Sequence, residues 1–119
     1  MRSWSTQDST ELYNVRNWGR DYFRVNDQGN VEVTPAGPRQ GGIDLKLLVD
    51  DLVRRDLQLP LLVRFTDILE HRLKTLANAF KGAIKEYEYE GHFRGVYPVK
   101  VNQQRHLVED IVRFSEAHH

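Results

Sequence analysis

The chain has 119 residues, with 17 basic and 17 acidic side chains, no cysteine, and 39% apolar residues. That is one domain's worth of protein at most, able to bury a core without disulfides or a structural metal, but too short for a complete (β/α)8 barrel of about 250 residues. A formal net charge of zero provides no basic excess to displace counterions from a nucleic acid and no polybasic patch for an anionic membrane; without cysteine, a thiolate zinc site, a disulfide framework and a thiol nucleophile are all excluded within these residues.

Residues 1–10 are polar apart from Trp4 and hold no apolar core of the signal-peptide kind, so they read as a loose terminus. No stretch approaches the roughly 18 consecutive apolar residues of a membrane span, and a soluble, cytoplasmic protein is the expectation. From Tyr22 to Thr34, Phe23 and Val25 alternate with polar residues on one side of a polar turn and Val31 and Val33 on the other. With Gly29 where a positive φ is cheap, this predicts a β-hairpin. The breakers of Pro35 to Gly42 then predict a loop.

Asp44 is placed to cap a helix whose Leu45, Leu48, Val49, Leu52 and Val53 repeat at i, i+3, i+4, i+7 and i+8. Pro60 to Phe65 is a short apolar run the size of a buried strand. Thr66 or Asp67 can cap a long helix carrying Leu69, Leu73, Leu76, Phe80, Ile84 and Tyr87, with Gly91 ending it. Phe93 to Val101 is apolar on both parities, as in a parallel strand covered on both faces. Asn102 can cap a last helix with the stripe Leu107, Val108, Ile111 and Val112. Hairpin, helix, strand, helix, strand, helix predicts an α/β architecture with a parallel sheet and crossover helices.

Few residues stand out for chemistry. His71, His92, His106, His118 and His119 form no metal-ligand spacing, and His71 and His106 fall on polar helix faces. Asp50 and Asp51, like Glu109 and Asp110, are neighbours that point in different directions on a helix and suit a solvated face. No Walker loop, GxGxxG or GxSxG is present. Lys100 remains. It shares a parity with Pro98 near the C-terminal end of the second predicted strand, where α/β folds place their chemistry, and a desolvated amine there is suited to Schiff-base formation. For a lone lysine at a strand end, a side chain reaching solvent is the simpler reading. Pro98 is also out of place in a central strand, because it deletes a ladder hydrogen bond.

Three stretches, NVRNWGRDYFRVNDQGNVEVTP (14–35), GGIDLKLLVDDLVRRDLQLPLLVRFTDILEHRLKTLANAF (41–80) and YEGHFRGVYPVKVNQQRHLVEDIVRFSE (89–116), resemble the N-terminal part of the biosynthetic arginine decarboxylases. These are large pyridoxal-phosphate enzymes of the alanine-racemase-like fold type. YPVKVNQQR is the most specific piece, since ornithine and diaminopimelate decarboxylases keep a shorter core there; the WGxxYF opening and the extended NQQR favour the arginine branch. The resemblance implies that residues 1–42 are a tail and hairpin from a β-domain and that residues 43–119 begin a TIM-type barrel left incomplete in this chain. It implies that Lys100 carries pyridoxal phosphate and is both the catalytic and the cofactor-binding residue. The reaction implied is decarboxylation of L-arginine to agmatine in putrescine and spermidine biosynthesis, by a homo-oligomer associated with magnesium.

The glycine-rich phosphate loop, the acid facing the pyridine nitrogen, the cysteine general acid and the acids expected to bind guanidinium have no counterpart here. The chain therefore reads as an N-terminal fragment that is inactive alone. Decarboxylation of ornithine or diaminopimelate is the alternative within enzymes, and a non-catalytic binding or assembly module the alternative outside them.

Overall fold

The computed structural model describes residues 2–37 and 39–118; Met1 in the predicted loose terminus, Pro38 in the predicted loop, and His119 lie outside the described residues. The chain is mixed α/β and forms two compact units, Met1–Phe65 and Thr66–His119. No helix among the described residues is long and apolar enough to cross a membrane.

The first unit opens on helix α1, Thr6–Leu12, where a loose terminus was predicted. Ser5 and Asp8 form a reciprocal capping box: the Asp8 N–H donates to Ser5 Oγ at 3.2 Å and the Ser5 N–H to Asp8 Oδ2 at 2.8 Å. Arg2 adds an ion pair to Asp8. The capping signal Ser-x-x-Asp carries no apolar residue, so apolar content gives no sign of this helix. After Asn14, at φ 52, the short α2 spans Val15–Gly19. Its end lies against the next strand so closely that a Cβ on Gly19 would sit 2.9 Å from the Phe23 Cβ.

The predicted hairpin forms. β1, Phe23–Val25, pairs antiparallel with β2, Val31–Val33, in the register Phe23↔Val33, Arg24↔Glu32, Val25↔Val31. Asn26 organises the turn, its Oδ1 accepting from the N–H groups of Gln28 (3.1 Å) and Asn30 (2.9 Å), with Gly29 at φ 80. β3, Ile43–Asp44, extends the sheet in the order β1-β2-β3, again antiparallel; at two residues it is too short to leave a periodic signal. The core of this unit is Val15, Tyr22, Val33 and Thr34, with Val33 0% exposed. The Thr34 hydroxyl is satisfied by donating to the Asp21 carbonyl at 3.0 Å. Helix α3, Leu45–Arg54, starts on Asp44 as predicted, with Asp44 Oδ1 accepting from the N–H groups of Lys46 (2.9 Å) and Leu47 (3.1 Å).

The second unit packs α4, Thr66–Glu86, against α5, Arg105–His118. The first starts where predicted and stops short of Gly91, with Glu88 turning out at φ 50. The second begins at Arg105, three residues beyond Asn102, with the Gln104 carbonyl accepting from Leu107 and Val108.

The two predicted parallel strands, Pro60 to Phe65 and Phe93 to Val101, join no sheet, and the sheet that forms is antiparallel throughout. An apolar run encodes a demand for burial; a ladder also needs a neighbouring strand. Leu62 and Val96, at 82% and 91% exposed, show that demand unmet.

Candidate active site around Lys100

Lys100 sits on a turn, Pro98 to Val101, closed by the Val101 N–H donating to the Pro98 carbonyl at 2.9 Å. Across that turn the Tyr97 hydroxyl donates to the Asn102 carbonyl at 3.2 Å, while Asn102 Oδ1 accepts from the Gln104 N–H at 3.1 Å on the way into α5. Tyr97 and Asn102 are half-buried and Lys100 between them is exposed. The motif YPVKVNQQR is thus a small loop pinned at both ends with its lysine at the tip. The expected position of Lys100, near the C-terminal end of a buried parallel strand, is not formed. The structure places it on an exposed turn, because segment 93–98 has no neighbouring strands to bury it. Pro98 then ceases to be anomalous, since no ladder asks for its missing N–H.

The segment leading to the loop is anchored on α4 by the stack of Phe93 on Phe80, with ring centroids 3.9 Å apart and planes at 4°. Beside it lie two grooves of about 440 and 460 Å3 whose linings share Leu73, Leu76, Phe93 and Gly95. Lys81, Lys85 and His92 stand on the first. Lys100 lines neither.

The other candidates are accounted for locally. Asp50 pairs with Lys46 and Asp51 with Arg55 at 2.7 Å, and Glu109 and Asp110 pair with Arg105 and Arg113, each at 2.6 Å. These are the ion pairs of solvated helix faces. His92 Nε2 accepts from Arg94 Nε at 3.0 Å, His106 is exposed and His71 is half-buried. Among the described residues no group of three or more His, Asp or Glu could hold a metal ion. For pyridoxal phosphate the donor chemistry fits at the aldehyde end alone. Lys100 offers an accessible primary amine, and the described loops provide no glycine-rich phosphate cradle.

Set beside known proteins, the chain is similar to amino-acid decarboxylases. By name these relatives are biosynthetic arginine decarboxylases. The protein from Gloeobacter violaceus is 52% identical over 114 residues, covering 96% of this chain and 18% of that protein. The one from Nostoc sp. is 52% identical over 117 residues, 98% of this chain and 17% of its own length. Biosynthetic arginine decarboxylase 2 of Synechocystis sp. is 52% identical over 97% of this chain and 18% of its own. The chain thus spans less than a fifth of the length of these relatives. No protein-family model matches it.

Proposed function

We propose that this chain is the lysine-bearing part of a pyridoxal-phosphate-dependent arginine decarboxylase, which converts L-arginine to agmatine and CO2 on the route to putrescine and spermidine. The observation that carries the reading is the identity of 52% across 96% of the chain, a span that necessarily includes Lys100 and its loop. The exposed apolar residues add support for the fold. Leu62, Val96 and Val101, at 82%, 91% and 79% exposed, belong to runs that the neighbouring strands of an alanine-racemase-like barrel would cover. On this reading residues 1–42 belong to the β-domain, residues 43–119 begin the barrel, and the whole enzyme is a homo-oligomer.

Lys100 would hold the cofactor through its amine. Bound there, pyridoxal phosphate supplies the electron sink for the pair released as CO2 leaves. The chain's own contribution is positional: the Tyr97 to Asn102 bond and the Phe93 to Phe80 stack limit where the Lys100 amine can swing.

The test is a chimera in which these 119 residues replace the matching stretch of the Gloeobacter violaceus relative. The chimera forms agmatine, and the 119-residue chain alone forms none. Borohydride reduction with pyridoxal phosphate labels Lys100, and Lys100→Ala lowers kcat by on the order of 10³-fold or more, as removal of a covalent nucleophile does. Label on another lysine, or full activity of the Lys100→Ala chimera, would overturn the assignment.

A further inference from the structure

Arg16, Arg20 and Arg24 line one concavity of about 590 Å3 in the first unit, together with Gln7, Thr10 and Asp21. They reach it from three places: Arg16 from α2, Arg20 from the residue that ends α2, and Arg24 from β1. All three are exposed, and their positive charges are only partly paired. Arg24 is matched across the hairpin by Glu32. Arg16 Nη2 reaches a neutral acceptor, Gln7 Oε1, at 3.3 Å. Arg20 has no hydrogen-bond or ion-pair partner among the described residues. Asp21 is the single carboxylate of the lining, and none of the three arginines lies within ion-pair distance of it.

The backbone at Arg20 is unusual for a residue with a side chain. Its φ of 50 and ψ of −135 lie where a Cβ is costly and glycine is cheap, yet the residue is an arginine. A guanidinium offers a planar fork of donors that matches phosphate or carboxylate bidentately, and uncompensated positive charge in a concave site concentrates the field on an entering anion. Thr10 and Gln7 add little as donors, because the Thr10 hydroxyl already donates to the Thr6 carbonyl and Gln7 Nε2 to Glu11.

We infer that this concavity binds a small oxyanion, a phosphate or carboxylate group held by Arg16 and Arg20. Asp21 sets the selectivity: its carboxylate repels a bare anion and accepts from an ammonium or hydroxyl beside the oxyanion on the same ligand. The inference stands on the first unit alone and does not rest on the decarboxylase reading.

The test is NMR of the 119-residue chain labelled with 15N-arginine, titrated at physiological ionic strength with inorganic phosphate and, separately, with O-phosphoserine. The Nε–H signals of Arg16 and Arg20 shift saturably, and phosphoserine binds more tightly than phosphate. Arg20→Gly removes the guanidinium while relieving the backbone, so its folding is secured, and it weakens phosphoserine binding at least about tenfold, equivalent to 1.4 kcal/mol. Arg72→Gln, on α4, leaves binding unchanged. Linear shifts that never saturate, shifts of equal size at Arg72, or unaltered binding by Arg20→Gly would each overturn the site.

Discussion

Asp44 accepts four hydrogen bonds: from the side-chain amides of Asn26 (2.8 Å) and Asn30 (2.9 Å) in the hairpin turn, and from the backbone N–H groups of Lys46 and Leu47 that open α3. One carboxylate thereby fixes the angle between hairpin and helix. The Asn30 amide is the largest cause of a pKa held below the ordinary 3.8, with the Leu47 N–H, the Asn26 amide and the Lys46 N–H adding to it against the desolvation that opposes them. Asp8 is held low in the same sense, chiefly by the Ser5 hydroxyl and Ser5 N–H. Because the folded-state pKa is depressed, the stabilisation by Asp44 is complete above 3.8 and is lost as pH falls through the lower folded-state value. Asp44→Asn is therefore less stable than the parent at neutral pH, and the gap between their urea midpoints narrows once pH drops below 3.8, which tryptophan fluorescence can follow. Parallel midpoint curves through that range would show that the charge on Asp44 does not matter. The capping role was legible from Asp44 preceding a 3.6-residue repeat. The two asparagines were not, because they meet Asp44 only when chain positions 18 and 14 residues apart are brought together.

At the scale of elements, legibility followed locality. The hairpin, α3, α4 and α5 all declare themselves within a dozen or so residues, by alternation, by capping or by a helical stripe. The runs 60–65 and 93–101 read as parallel strands from local apolar content and join no sheet, since a ladder also needs neighbours that local sequence does not reveal. The same difference bears on the candidate site: position near the end of an apolar run singles out Lys100 without deciding its role, which rests on the motif YPVKVNQQR, while its exposed turn and the Tyr97 to Asn102 tie leave no local signal. Amide exchange separates the two kinds of segment. The Asn26 and Thr34 amides, bonded to the Asn30 and Tyr22 carbonyls at 2.9 and 2.8 Å, exchange slowly, whereas those of Gly95 and Val96, with no ladder partner, exchange with opening free energies near zero. In the chimera with the Gloeobacter violaceus relative, the Gly95 and Val96 amides become protected as barrel neighbours pair with them. Fast exchange at both positions in an active chimera would exclude a barrel strand there.

For the molecule as a whole, the apolar fraction of 39% is unevenly used. Val15, Tyr22 and Val33 are buried, and all three lie in the first unit. In the second, α4 buries no residue fully, and Leu76, Phe80, Tyr87 and Val112 remain 49%, 43%, 77% and 52% exposed. Burial contributes roughly 25 cal/mol per Å2 of apolar surface, against an ordering cost of about 1.5 kcal/mol per residue, so a helix pair that leaves its largest side chains half in water is marginal. Two probes report on the two units separately. Trp4 and Trp18 both belong to the first unit, while α4 and α5, with 21 and 14 residues, dominate the helical ellipticity. In urea the ellipticity of the 119-residue chain falls at lower denaturant than its tryptophan fluorescence changes, and two-state bookkeeping does not apply to it. The exposed apolar faces of α4 and α5 also promote self-association, so the ellipticity midpoint rises with protein concentration. Coincident transitions at every concentration would mean that α4 and α5 draw on more than their own burial, and the weakness assigned to Thr66–His119 would be wrong.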